Sequence, residues 1–313
     1  MRSAFVTGAH GFIGRHVARE LSRRGVVVGG LGHGLWPTQE TARWGVAHWV
    51  NGSVNTANLD LLRHELPAPD VVFHLAGGSS VGASLANPRE DFARTVATTA
   101  DLLEWLRHKA PAARVVLVSS AAVYGNGHAS PVAERASLDP YSPYGVHKRL
   151  MEELGQSYAV SFGVQVVVAR LFSVYGPHLR KQLLWDVCSR LASGAARIEL
   201  GGSGNEQRDW TSVEDVARAL VGVGDRGEGV INIGTGVSTP VRKVAADLLA
   251  AWRMNGGQRA ELEFTGHSRP GDPFSLVADC TKLQRMGLTC VAPLSPGLES
   301  YVRWFRATWE ATG

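Results

Sequence analysis

The chain has 313 residues, 44% hydrophobic and 19% charged, enough for one large globular unit or two unequal ones. Its formal charge of +4 is scattered along helix-like stretches, which excludes a basic nucleic-acid-binding tail and suits a small anionic ligand better. Three cysteines, Cys188, Cys280 and Cys290, lack C-x-x-C spacing, so buried thiols in a reducing compartment are expected instead of a disulfide framework or a metal site.

The opening MRSAFVTGAHGFIG reads as a strand and its turn, leaving no room for a signal peptide, and no apolar run reaches membrane-spanning length. A cytoplasmic protein without membrane contact is expected. Gly8, Gly11 and Gly14 stand between that strand and a helix, where glycine permits a tight turn and lets backbone N–H groups approach a pyrophosphate. The helix follows in GRHVARELSRRG, with Val17, Ala18 and Leu21 on one face, arginines on the other and Gly25 as its stop.

VVVGGLGHG supplies the second strand. An NAD site ordinarily ends this strand with an acidic residue for the ribose 2′-hydroxyl, and Gly32 occupies that place. Without a carboxylate a 2′-phosphate is not repelled, and His33 or His10 could reach it. NADP(H) is therefore expected ahead of NAD.

Further apolar runs, VVFHLAG, RVVLVSS and VQVVVARLF, alternate with stretches of helical period. This alternation predicts an α/β fold, a Rossmann-type doubly wound parallel sheet wrapped by helices. Past RLFSVYGP the rhythm loosens into glycine-rich segments, with helices expected at 181–193, 213–223 and 240–253. A smaller, discontinuous C-terminal α/β unit is expected there. The predicted division gives 1–174 plus about 210–258 to the nucleotide-binding unit, and about 175–209 and 259–313 to the smaller one. Trp210 and the aromatic run YVRWFRATW read as packing residues.

DPYSPYGVHKRL, residues 139–150, places Ser142 as a helix cap and Pro143 in the first turn, so Tyr144 and Lys148 project side by side at i and i+4. Ser119 and Ser120 end the preceding strand. The ordered set of GAHGFIG at 8–14, HLAG at 74–77, SSAAVYG at 119–125, Y-x-x-x-K at 144–148, RLFSVYGP at 170–177, RDWTSVEDVA at 208–217, NIG at 232–234 and RPGD at 269–272 resembles the extended short-chain dehydrogenase/reductase family. The likeness is to its nucleotide-sugar epimerase, dehydratase and reductase branch.

The chemistry is consistent with that resemblance. Hydride transfer at a sugar carbon requires a proton to move on its oxygen, and a tyrosine of pKa about 10 is a poor base near neutrality. Lys148 and a positive nicotinamide would stabilise the Tyr144 phenolate, while the Ser120 hydroxyl orients the reacting oxygen. The resemblance further implies that Lys148 holds the nicotinamide ribose and that His10, Phe12, Ile13, Ser53, Leu75, Ala76 and Gly77 join the glycines around the cofactor. It implies that Ser79, Ser120 and Ser173 contact the sugar, that Arg208 and Arg269 grip its diphosphate, and that the protein is a homodimer.

Several positions depart from the family pattern. Ala121 and Ala122 stand where 4,6-dehydratases carry an Asp-Glu pair, so dehydration lacks its acid and base. Ser173 and Thr95 replace asparagines, Ser53 replaces an aspartate near adenine, and Ser79 stands where 4-epimerases often have a lysine. The leading expectation is NADPH-dependent reduction at C4 of a nucleotide-activated 4-keto-6-deoxyhexose for polysaccharide biosynthesis. The alternative is a nucleotide-sugar 4-epimerase with retained NAD, and from another class, a non-catalytic dinucleotide-sensing protein.

Overall fold

The computed structural model describes residues 1–128, 131–267 and 273–311. Seven strands form the central sheet: β1 (Ser3–Thr7), β2 (Val27–Gly32), β3 (His48–Asn51), β4 (Val71–His74), β5 (Arg114–Ser120), β6 (Gln165–Leu171) and β7 (Gly229–Ile233). Their spatial order is β3-β2-β1-β4-β5-β6-β7, and every pairing is parallel. The expected fold class is therefore observed. The chain runs outward from β1 to β3 and then returns to the other side of β1 with β4, so a crevice opens above the carboxyl ends of β1 and β4.

Both faces of the sheet are covered. The helices α1 (Phe12–Arg23) and Val213–Arg226 press Val17, Leu21, Val216 and Leu220 onto Val6, Val28, Val116 and Ile231. On the other face Leu62, Leu102, Leu106 and Met151 pack against Phe5, Leu31, Val72 and Val115. Each such leucine contributes about 2 kcal/mol of apolar burial. β3 and β7 lay outside the predicted apolar runs. HWVN and GVINI are short and carry polar residues, and they gain strand geometry by pairing with β2 and β6.

A third hydrophobic cluster lies apart from the sheet. It joins Tyr175, Leu184, Val187 and Leu191 to Val244, Leu248 and Trp252 and to Leu298, Tyr301, Val302 and Phe305. Most of the C-terminal aromatics pack there, as does Trp210, while Trp309 is partly exposed. The helix Val241–Met254 thus buries its apolar face in this cluster, although the predicted division assigned it to the nucleotide-binding unit. A three-stranded sheet, with Gln207–Arg208 between Thr239–Pro240 and Ser275–Leu276, carries Arg208 over the crevice. All three cysteines are buried free thiols. Among the described residues no helix is long and apolar enough to cross a membrane, and no cluster of three or more His, Cys, Asp or Glu could hold a metal ion.

Candidate active site

Gly8 follows β1 with φ +70°, and its N–H donates to Leu31 O at 2.6 Å. A β-carbon at Gly14 would stand 2.1 Å from Gly8 O, so only glycine lets α1 start this close to the strand end. No side chain caps α1, whose N-cap is Gly11. Its first N–H groups and the positive end of its dipole are thus available to a pyrophosphate. This cradle fits a dinucleotide.

The glycine loop forms one end of a cleft of about 960 Å³. Lining it are Gly8, His10, Gly11, Phe12, Ile13, Gly14, Gly32, His33, Ser53, Leu75, Ala76, Gly77, Ser79, Ser120, Tyr144, Lys148, Ser173 and Arg208, so the structure brings together every singled-out residue that it describes. Arg269 lies outside the described residues.

At the β2 end, the structure gives a reason for Gly32 other than room for a phosphate. A β-carbon there would sit 3.2 Å from Trp49 Cη2, tighter than ordinary contact, so the indole would have to give by a few tenths of an ångström to admit a side chain. His10 is also engaged. Its ring packs on Trp36 with centroids 4.9 Å apart, and its Nδ1 lies 3.2 Å from His33 O. His33 Nε2 stands 3.5 Å from Ser53 Oγ.

Ser142 caps the helix α2 (Pro143–Phe162), accepting from Gly145 N at 3.2 Å, with Pro143 in the first turn. Tyr144 N donates to Ser84 Oγ at 3.0 Å, and the Tyr144 and Ser120 hydroxyls share a hydrogen bond. Lys148 is only 4% exposed; its Nζ donates to Val118 O at 2.9 Å and lies 6.0 Å from the Tyr144 ring centre. Burial raises the Tyr144 pKa above its ordinary value, with Ser120 opposing the rise. The protein alone therefore keeps Tyr144 protonated, and Lys148 does not suffice to make the phenolate. An oxidised nicotinamide held in this cleft would add a further positive charge.

Burial pushes Lys148 down to about 8 from 10.5, with Asp91 and Glu152 countering and Lys181 adding to the fall. The buried His74, held between Thr7 at 2.8 Å and Thr99 at 3.1 Å, also faces this lysine. Because burial disfavours the ammonium, its proton leaves at a lower pH than usual. The expected result is a kcat/KM that declines as pH rises through about 8, read from a profile over roughly pH 6 to 10. A flat profile through that range would show that the loaded site retains the charge.

Sequence reasoning missed several members of the site. Asp91, buried beside Tyr144 and Lys148, accepts from His147 Nδ1 at 2.6 Å. Lys181 lines the cleft and donates to Ser79 O at 2.5 Å. Asp209, flanked by the singled-out Arg208 and Trp210, accepts from Thr235 N, Gly236 N and Ala278 N and from the hydroxyls of Thr211 and Thr235. It thereby fixes the loops beneath Arg208, whose Nη1 donates to Gln207 O at 2.9 Å. Thr95, in the place of an asparagine, accepts from Gly78 N at 2.8 Å. Ala121 and Ala122 both line the cleft.

Comparison with known proteins places this geometry among relatives. The model of the NAD dependent epimerase/dehydratase family matches residues 4–234. UDP-glucuronate 4-epimerase 3 of Arabidopsis thaliana is 28% identical, over 97% of this chain and 76% of the relative. A putative UDP-glucose 4-epimerase of Methanocaldococcus jannaschii is 29% identical, over 96% of this chain and 97% of its own. Among solved structures, MoeE5 in complex with UDP-glucuronic acid and NAD superposes with a TM-score of 0.84 and 32% identity, covering 98% of this chain and 99% of MoeE5.

Proposed function

The chain belongs to the NAD dependent epimerase/dehydratase family, and from that premise we propose that it is a UDP-hexose 4-epimerase working with retained NAD. The observation that carries this reading is the convergence of Ser120, Tyr144 and Lys148 in the cleft that the glycine cradle also lines. Bound in that cradle, NAD would supply the hydride acceptor and donor for C4. Tyr144 takes the O4 proton and later returns it, Ser120 orients O4, and Lys148 holds the ribose and adds positive charge.

The expected 4-keto reduction and its NADP(H) preference rested on Gly32. Trp49 crowds that position, which gives the glycine a packing reason as well, and the solved relative carries NAD, so the epimerase reading has the better support. Arg208 is assigned to the substrate diphosphate. The proposal includes a homodimer, consistent with Val160 and Phe162 exposed on α2.

To test this, the purified protein is denatured and any released dinucleotide identified by mass, while the native protein is incubated with UDP-glucose and UDP-glucuronate without added cofactor. Stoichiometric NAD and formation of the C4 epimer of either sugar are expected. An empty site that binds NADPH more than tenfold tighter than NADH, about 1.4 kcal/mol, would overturn the reading in favour of the reductase.

A further inference from the structure

Lys181 is a half-buried cation without a counter-ion among the described residues. Among the described residues its one hydrogen-bond acceptor is Ser79 O, and no carboxylate pairs with it. Buried charges are ordinarily paired, because removing a charge from water is costly. An ammonium also has three donors, of which Ser79 O uses one. Burial alone lowers its pKa to about 8.

The local backbone gives no structural reason for a cation here. Lys181 is the N-cap of the helix Gln182–Ala192, which has no acidic residue in its first turn and no side-chain cap. A cation at that end opposes the helix dipole. On either side His178 and Gln182 hold left-handed backbone conformations, φ +77° and +64°, which residues other than glycine rarely adopt. The turn is pinned to α1 through Arg15, 3.0 Å from His178 Nδ1, and His16, 3.3 Å from Pro177 O. A strained, anchored turn thus aims Lys181 into the cleft.

Its charge lies close enough to Lys148 to disfavour the ammonium there, which places it beside the catalytic residues. Ser79 lies two residues beyond Gly77, and a β-carbon on Gly77 would be 3.3 Å from Lys148 Nζ. Arg208 serves the diphosphate in the reading above. Resting on that 4-epimerase reading, we propose that Lys181 binds a carboxylate on the hexose, and that the preferred substrate is a nucleoside diphosphate hexuronic acid.

The test measures kcat/KM for UDP-glucuronate and UDP-glucose on the NAD-loaded protein, as wild type, Lys181→Met and Lys181→Arg. UDP alone is titrated as the diphosphate probe, and NAD content and melting temperature monitor the fold. The wild type is expected to prefer UDP-glucuronate. Lys181→Met is expected to reduce that preference at least tenfold, mainly through KM, Lys181→Arg is expected to preserve more of it, and UDP affinity is expected to change by less than twofold. Equal losses on both sugars, or UDP binding weakened as much as UDP-glucuronate binding, would overturn the proposal, leaving Lys181 a diphosphate contact or a prop for its turn. Wild-type epimerisation of UDP-glucose alone would also overturn it while sparing the 4-epimerase reading. Epimerisation of neither sugar would remove both.

Discussion

Tyr144→Phe is expected to lower kcat about 10³-fold while leaving bound NAD at its wild-type level. The substitution removes one hydroxyl and leaves the ring in place beside Lys148, so α2 keeps its Ser142 cap and its contact with Ser84. What is lost is the group assigned to exchange a proton with O4. Single-turnover rates and released dinucleotide, measured on the same preparation, separate the chemical step from cofactor retention. A variant within tenfold of wild type would show that Tyr144 is not the proton-transfer group, and full biological function without it would restore the dinucleotide-sensing alternative.

Arg170→Met is expected to cost about 3–5 kcal/mol of stability, a large part of the 5–15 kcal/mol typical of folded proteins. Arg170 and Glu152 are 3% and 7% exposed, and form a forked pair with Nη2–Oε2 at 2.6 Å and Nε–Oε1 at 3.0 Å. Arg170 Nη1 also donates to Tyr124 Oη and Glu134 O, both at 3.0 Å, while the Ser119 hydroxyl donates to Glu152 at 2.5 Å. Methionine fills similar space but leaves the Glu152 charge buried and unpaired. The urea midpoint should fall accordingly, and adding Glu152→Leu should recover most of it. Because Glu152 supports the Lys148 charge, the recovered double variant should still lose kcat/KM at a lower pH than wild type. Full recovery of both stability and pH profile would mean that the pair is purely structural.

The parts of the site legible in the sequence are those encoded by short spacing. Gly8, Gly11 and Gly14 share one turn, and Tyr144 and Lys148 share one helix face behind a cap, so local geometry suffices. Lys181 and Ser79, or Asp91 and His147, meet only through tertiary packing of distant segments. Asp209 was hidden by its neighbours, since a buried carboxylate serving loop N–H groups resembles any other aspartate in a motif. Gly32 shows the opposite error: the sequence reveals a missing side chain but not the indole packed closely against that position. β3 and β7 were missed because four or five residues with polar members have little periodicity of their own.

The third hydrophobic cluster imposes an order of assembly. It pairs Tyr175 to Leu200 with the helix Leu294–Glu310, far later in the chain. During synthesis the sheet β1–β7 and its covering helices can close once residue 233 has emerged, completing the glycine cradle. The wall that carries Lys181 has only part of its core, the apolar face of Val241–Met254, until Leu294–Glu310 leaves the ribosome. On the proposed reading, a nascent chain therefore completes its dinucleotide cradle before the wall assigned to the sugar.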